Sequence, residues 1–143
     1  MKRKKGSILV EAIISLSILL LAASISANLI KFMQKSFIIR EERERANRLA
    51  YAIENEIKHN LKIEEILNEL NINTYIKYEF SQENFEKLLS MPLFSLNKGE
   101  GVEIKIKEVN ENNTILLMNI TIKDNTGAIL SEREFVKTNW VKR

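Results

Sequence analysis

The chain has 143 residues, with 22 basic and 19 acidic side chains, a formal net charge of +3 and no cysteine. This length allows about one compact domain, and the lack of cysteine excludes disulfides and thiolate chemistry. His59 and Asp124 are the single histidine and the single aspartate, which excludes a histidine-rich metal site and leaves one composition for a Ser-His-Asp triad. We therefore expect no enzyme, no metal and no cofactor.

The positive charge is concentrated at the N-terminus. Four basic residues, Lys2-Arg3-Lys4-Lys5, precede an apolar run, and without them 18 basic residues stand against 19 acidic ones. The rest of the chain therefore offers no electrostatic basis for binding nucleic acid. Lys105 and Lys107 lie on one face of a predicted strand, but Glu103 shares that face, which favours a solvated surface.

The stretch after the basic cluster is long enough to cross a membrane. Ala12 to Ile30 gives 19 residues without a formal charge, about 28 Å of helix and close to the thickness of a bilayer core. The basic cluster before it predicts a cytoplasmic N-terminus and an exported C-terminal part. A cleavable secretory signal is the alternative, which the small residues between Ala22 and Ala27 leave open.

Glu11 is the single formal charge between Ile8 and Ile30. A carboxylate in hydrocarbon costs on the order of 2.5 to 3.5 kcal/mol on insertion scales, so a partner for Glu11 is expected. The alternative is a carboxylate near a helix end that reaches the lipid headgroups and is stabilised by the helix dipole.

The helix is predicted to continue beyond the membrane-length run. No glycine or proline occurs between Ser7 and Met91, and apolar residues at spacings of three, four and seven form a stripe. We expect one helix from about Ser7 to about His59, near 80 Å long, whose second half packs on a small domain. The stripe comprises Ile39, Ala46, Leu49, Ala50, Ile53 and Ile57.

Two shorter helices are predicted in the remainder of the chain. The first runs over Lys62–Leu70, and the second runs over Gln82–Ser90 with Ser81 as its N-cap. Pro92 prevents the second helix from continuing. Its apolar face comprises Phe85, Leu88 and Leu89.

Alternating apolar residues predict four strands. The last pattern is the weakest, because Ser131 and Arg133 interrupt one face. Short connections, with Gly127 supplying a positive φ, make the last three strands an antiparallel meander. The predicted class is α+β, a long N-terminal helix packed on a small antiparallel sheet. The strands run over Thr74–Phe80, Val102–Lys107, Leu116–Ile122 and Ile129–Lys137.

The N-terminal pattern resembles a known signal. A basic leader, Gly6, the short residue Ser7 and apolar residues with Glu11 five positions after the glycine open a long helix. Over about the first 30 residues this is similar to the class III signal of type IV pilin-like proteins. The resemblance implies that a prepilin peptidase cleaves between Gly6 and Ser7 and methylates the new amine, and that Glu11 pairs with a neighbouring subunit's amine and sets the register of a filament.

The chain also departs from that family. Ser7 stands where such proteins more often have Phe or another large apolar residue. The apolar helix lacks the helix-breaking proline of many major pilins, and a disulfide loop cannot form. The lack of that proline favours a minor pilin or pseudopilin, because such a helix should melt less readily inside a filament.

The expected organisation follows from these patterns. Residues 1–6 form a leader, 7–30 the transmembrane or filament-core half of the helix, 31–59 its amphipathic half, and 60–143 a small head in which Trp140 covers the edge or base of the sheet. The expected partners are the membrane, other pilin subunits, a prepilin peptidase and the assembly platform. The head would be exported from the cytoplasmic membrane and reach a cell-surface filament. The alternative is a single-pass anchored protein whose head binds a ligand or partner and never polymerises.

Overall fold

A computed structural model of the chain describes residues 3–71 and 74–139, with side chains described from residue 6 onward. It confirms the α+β class, with a long apolar N-terminal helix and a four-stranded antiparallel sheet. The chain divides into two compact units, Met1–Glu41 and Glu42–Arg143. The second unit contains the predicted head, residues 60–143, together with the last part of α1, and from here on the head means this whole unit. Trp140 lies outside the described residues, so its expected place at the sheet stays a prediction.

Helix α1 runs from Arg3 to His59, so it begins four residues before the predicted start at Ser7. The helix tolerates Gly6 in its first turns because one glycine costs only about 1 kcal/mol relative to alanine. Five residues of the predicted stripe are buried in the head, but Ile39 belongs to the first unit and is 41% exposed, which corrects that part of the prediction. The buried five are Ala46, Leu49, Ala50, Ile53 and Ile57.

Two short α-helices follow, α2 at Ile63–Glu69 and α3 at Gln82–Leu88. The backbone N–H of Lys62 donates to Glu65 Oε2 at 3.1 Å before α2. Ser81 is the N-cap of α3 as predicted, since its Oγ accepts from the Asn84 N–H at 3.3 Å.

Leu89 corrects the predicted face of α3. The helix ends at Leu88, two residues earlier than expected. Leu89 is therefore not carried round onto the buried face, and it remains 72% exposed.

The sheet has the order β1-β2-β3-β4, and every pair is antiparallel. The alternation predicted from the sequence is observed, because alternate residues of β2 and β3 pack against the α1 stripe in one core. Ile104 lies opposite Ile120, which in turn lies opposite Arg133. The strands are β1 at Tyr75–Glu79, β2 at Gly101–Val109, β3 at Ile115–Lys123 and β4 at Ile129–Thr138.

Two glycines have backbone conformations that other residues rarely adopt. Gly127 has φ +85° in the β3–β4 turn, as the sequence predicts, and Gly101 has φ +113° at the start of β2. A Cβ on Gly101 would lie 2.7 Å from the Cβ of Phe80, so a side chain is also excluded there by space. Gly101 thus allows β2 to begin against the chain that follows β1.

Candidate functional site

The three residues of the predicted signal lie close together on α1. Gly6, Ser7 and Glu11 all belong to the helix, and they line one shallow groove on its surface together with Val10 and Ile14. Ser7 and Glu11 are four residues apart, which places them one turn apart on the same side of a helix. The bond between Gly6 and Ser7 therefore lies within helical backbone.

Glu11 has no intramolecular partner in the part of the chain whose side chains the structure describes. No hydrogen bond or ion pair joins its carboxylate to another of those side chains. Two serines further along α1 do satisfy their hydroxyls within the helix, because Ser17 donates to the Ile13 carbonyl at 2.8 Å and Ser26 to the Ala22 carbonyl at 2.9 Å. Such internal bonds suit a helix surrounded by lipid.

The first half of α1 exposes an unusually large apolar surface. Every large apolar side chain from Ile8 to Ile39 is exposed. The helix is long and apolar enough to cross a membrane, and none of its most apolar 18-residue window is buried. Soluble proteins rarely expose so much contiguous apolar surface, so this surface calls for lipid or protein against it.

The head contains an ionic cluster between α1 and β4. Glu54 of α1 accepts from Arg133 Nε at 2.5 Å and from Lys58 Nζ at 2.6 Å, and its side chain is nearly buried. Burial alone would raise the pKa of Glu54, but the hydrogen bonds and charges of Lys58 and Arg133 outweigh it and lower that pKa below its ordinary value. The arginine that interrupted the β4 pattern thus has an acidic partner on the helix.

A hydrogen bond from Lys137 joins the end of β4 to the end of α1. Its Nζ donates to the Lys58 carbonyl at 2.6 Å, and burial lowers the pKa of the Lys137 amine. The last carbonyls of a helix lack intrahelical partners and carry the negative end of the helix dipole, so a cation is favourable there. The cluster has one unsatisfied neighbour among the described residues, since the buried Ser131 hydroxyl has no hydrogen-bond partner.

A cavity of about 320 Å³ lies within the head, between α1, the start of α3 and the β3–β4 turn. Its apolar lining is provided by Leu49, Phe80, Phe85 and Leu130, and its polar rim includes charges of both signs. We call it the head cavity. The sequence did not predict it, because its walls come from segments far apart in the chain. The rim comprises Glu42, Arg45, Arg48, Ser81, Gln82, Asp124 and Asn125.

The other residues considered from the sequence have ordinary positions. His59 is exposed and is the last residue of α1, as expected of a helix-end residue. Lys107 forms an ion pair with Glu134, and Lys105 lies near the ring of Tyr75, 5.2 Å from its centroid. On this sheet face Lys107 is therefore paired with an acid, and Lys105 lies against an aromatic ring. Within residues 3–71 and 74–139, no three histidine, aspartate or glutamate side chains gather in a way that could hold a metal ion.

The geometry defines the class of the protein. It is an α+β protein in which a long N-terminal apolar helix packs, through its head portion, on a small antiparallel sheet, and this arrangement is compatible with a pilin-like fold. Comparison of the chain with protein-family models, with curated proteins and with solved structures finds no significant match in any of the three.

Proposed function

We propose that the chain is a structural subunit, a minor pilin or pseudopilin, of a type IV pilus-like filament. The observation that carries this proposal is the first half of α1, which is apolar and exposed on all sides from Ile8 to Ile39 and holds one carboxylate, Glu11, without a described partner. The bilayer would cover this surface before assembly, and a bundle of such helices would cover it in the filament.

Helices that lie in lipid associate through close packing rather than through the hydrophobic effect. The stretch from Ala22 to Ala27 supplies small residues that let two backbones approach. A carboxylate that pairs with a cation in that water-free interface is stabilised more strongly by the electrostatic attraction than it would be in water, since charges interact more strongly at low dielectric. Glu11 would thereby favour one axial register among several that apolar packing alone allows.

Processing supplies the cation. Cleavage between Gly6 and Ser7 would remove the four basic residues of the leader and create an ammonium on Ser7, one helical turn from Glu11. Because this bond lies in helical backbone, a prepilin peptidase would have to unwind the first turns to reach it. Gly6 lowers that cost by about 1 kcal/mol relative to alanine, since glycine is a poor helix former.

The expected partners are other pilin subunits, the prepilin peptidase, the assembly platform and the cytoplasmic membrane, from which the exported head would reach a cell-surface filament. One observation favours a second function. The head cavity has an apolar floor and polar rim, as many ligand sites do. An anchored protein that binds a ligand or partner through its head, and never polymerises, is therefore the alternative.

Two measurements test the processing step. Intact mass and N-terminal sequencing of the chain recovered from membranes should show a start at Ser7, and Gly6→Ala should lower the rate of that cleavage about fivefold while leaving α1 helical. A chain that keeps its leader in a host whose filaments still form would contradict the proposal.

Glu11→Gln tests assembly. We expect this variant to insert in the membrane but to be lost from sheared filaments, whereas the matched variant Glu56→Gln, in the same helix but in the head and away from the head cavity, should be incorporated normally. Normal incorporation of Glu11→Gln would favour the anchored alternative.

A further inference from the structure

Two lysines lie directly after the membrane-length run of α1. Lys31 and Lys35 are four residues apart, which places them one turn apart on the same side of the helix. No acidic residue occurs between Glu11 and Glu41, so neither lysine has an acid within the one-turn reach of an intrahelical ion pair. The charges that come next, from Arg40 to Arg45, are three of each sign. This segment of α1 therefore carries two cations and no acid to balance them.

The length of the apolar run places these two amines at the level of the lipid headgroups. When the run from Ala12 to Ile30 is centred in a bilayer and perpendicular to it, Leu21 lies at the midplane. Lys31 and Lys35 then lie about 15 and 21 Å from the midplane, at 1.5 Å per residue. The hydrocarbon core ends about 15 Å from the midplane, and the headgroup layer extends to roughly 20 to 22 Å. Both lysine side chains can therefore reach headgroup phosphates.

The apolar side chains beside the lysines favour the same location. Phe32, Met33 and Phe37 are 69%, 62% and 68% exposed. Met33 and Phe37 lie about 120 to 160° round the helix from the two lysines, at 100° per residue. A cationic side and an opposite apolar side are typical of a helix segment at the boundary between lipid and water. Lipid acyl chains would cover the apolar side while the amines remain among the headgroups.

The position of these lysines opposes the orientation predicted for the chain. Basic residues are normally in excess at the cytoplasmic end of a spanning helix, where the leader supplies four of them. Lys31 and Lys35 would lie at the exported end. Once the proposed cleavage removes the leader, they are the basic side chains that adjoin the apolar run. A contact at the exported surface would then decide how deeply α1 lies in the membrane.

We propose that Lys31 and Lys35 bind the phosphate groups of anionic glycerophospholipids in the exported leaflet, and that this contact fixes the depth of α1. An anionic headgroup supplies the counter-charge that the helix segment lacks, whereas the phosphate of phosphatidylcholine is balanced by its own choline. Attraction to an anionic headgroup layer changes binding about fivefold for each lysine near it. The inference rests on the membrane-spanning part of the proposed function, and it names the class of lipid that α1 contacts.

A tryptophan reporter tests the contact without altering either lysine. Trp140→Phe removes the single native tryptophan, and Asn28→Trp places one indole about 60° from Lys31 and about 20° from Lys35 round α1. The full chain is reconstituted in phosphatidylcholine vesicles that contain a fixed fraction of brominated phosphatidylglycerol or of brominated phosphatidylcholine. Bromine quenches indole fluorescence at close range, so the quenching measures which lipid lies beside the reporter. We expect the brominated phosphatidylglycerol to associate with this site about fivefold more strongly.

Matched variants show whether the lysines cause this preference. Lys31→Gln combined with Lys35→Gln should reduce it to less than about twofold. Lys31→Arg combined with Lys35→Arg should retain it, because arginine keeps the charge, and added salt should weaken it. A second reporter, Leu29→Trp with Trp140→Phe, has nearly the same depth but lies about 160° from Lys31 and about 120° from Lys35. It should report a smaller preference.

The outcomes separate this inference from the function on which it rests. Equal quenching by the two lipids, an equal preference at the two reporters, or a preference that survives the double glutamine variant overturns the inference. Quenching by neither lipid would show that α1 is not inserted, and the membrane part of the proposed function would fail with it. If the preference is absent while Glu11→Gln is still lost from filaments, only the lipid contact fails. If the preference depends on the lysines while Glu11→Gln assembles normally, the lipid contact stands and the proposed filament role fails.

Discussion

Glu54 of the first helix and Arg133 of the last strand are 79 residues apart in sequence, yet Arg133 Nε donates to Glu54 Oε2 at 2.5 Å. Lys58 completes the cluster from the next turn of the helix. This contact joins two elements that the hydrophobic pattern of β4 only partly specifies. It offers the first of five tests of the fold.

Glu54→Gln should lower the free energy of unfolding by about 1 to 2 kcal/mol. Removal of one partner from a fully buried ion pair destabilises a protein by more than this. Here the side chains of Arg133 and Lys58 are over a third exposed and keep part of their hydration, so the loss is smaller. The measurement is urea unfolding of the full chain in detergent micelles, followed by circular dichroism. A double-mutant cycle with Arg133→Gln should show coupling between the two sites, and strict additivity would contradict a direct interaction.

The same glutamate predicts a dependence on acid pH. Its pKa in the folded protein lies below the ordinary value of 4.5, so the unfolded state takes up a proton first as the pH falls. The stabilisation is therefore complete above pH 4.5 and is lost as the pH falls through the lower, folded-state pKa. Glu54→Gln should flatten this part of the stability profile relative to the parent chain. Parallel profiles for the two proteins would show that Glu54 does not contribute to it.

Tyr78 predicts the opposite behaviour at alkaline pH. Burial, with a smaller contribution from the charge of Glu69, raises the pKa of Tyr78 from 10.0 to about 12. Between these values the unfolded state ionises first, so the free energy of unfolding should fall as pH rises, by up to roughly 2.7 kcal/mol. Tyr78→Phe should remove this decrease. Burial lowers the pKa of Lys137 in both proteins alike, so the difference between the two profiles isolates the tyrosine.

Asn84 should be the most sensitive polar residue of the head. Its side chain donates to the carbonyls of Glu79 and Asn97 at 2.8 and 3.0 Å and accepts from the Asn97 N–H at 2.9 Å. The two carbonyls keep the N–H groups of Ser81 and Glu79 as partners, so Asn84→Ala leaves the Asn97 N–H as the group that loses its partner, which should cost about 1 to 3 kcal/mol. Faster hydrogen exchange at the Asn97 amide would report the loss locally. Asn125→Ala, in an exposed turn, is the matched control and should change stability by less than about 0.5 kcal/mol.

Ser131→Ala should stabilise the head by about 1 kcal/mol. The Ser131 hydroxyl is buried without a hydrogen-bond partner among the described residues, and removing an unsatisfied polar group recovers its desolvation cost. Ser131 lies two residues before Arg133 in β4, and Ser131→Ala leaves the ion pair of Arg133 intact. The coupling energy between Glu54 and Arg133, measured in the Ser131→Ala protein, should therefore be unchanged. A destabilised Ser131→Ala variant would indicate that the hydroxyl does have a partner.

Local pattern was sufficient to predict much of this fold. The spacing of Ala46, Leu49, Ala50 and Ile53 identifies the buried face of α1, and the alternation in β2 and β3 identifies the core side of the sheet. The polar residues of β4 weakened its prediction because their partners lie on a helix far away in sequence. Glu54 and Lys58 are four residues apart on one helix, so their contact follows from local sequence. Nothing in the local sequence indicates that Arg133 joins them.

The candidate functional sites also differ in how far the sequence predicts them. Gly6, Ser7 and Glu11 are close in sequence, so their order alone predicts that they act together on one helix. The head cavity is built from α1, α3 and the β3–β4 turn, and only the folded chain brings Phe85 and Leu130 to the same wall. Sequence patterns with one period describe single elements, whereas a cavity depends on how several elements meet.

The hydrogen bond from Lys137 to the Lys58 carbonyl also constrains the order of events during synthesis. The helix is translated first, and Lys137 of β4 follows Lys58 by 79 residues. This distance corresponds to roughly 4 to 16 seconds at usual elongation rates. Until then the apolar stripe of the nascent helix has no complete sheet to cover it. A chain truncated before β4 should therefore leave this stripe partly uncovered and require a chaperone to remain unaggregated.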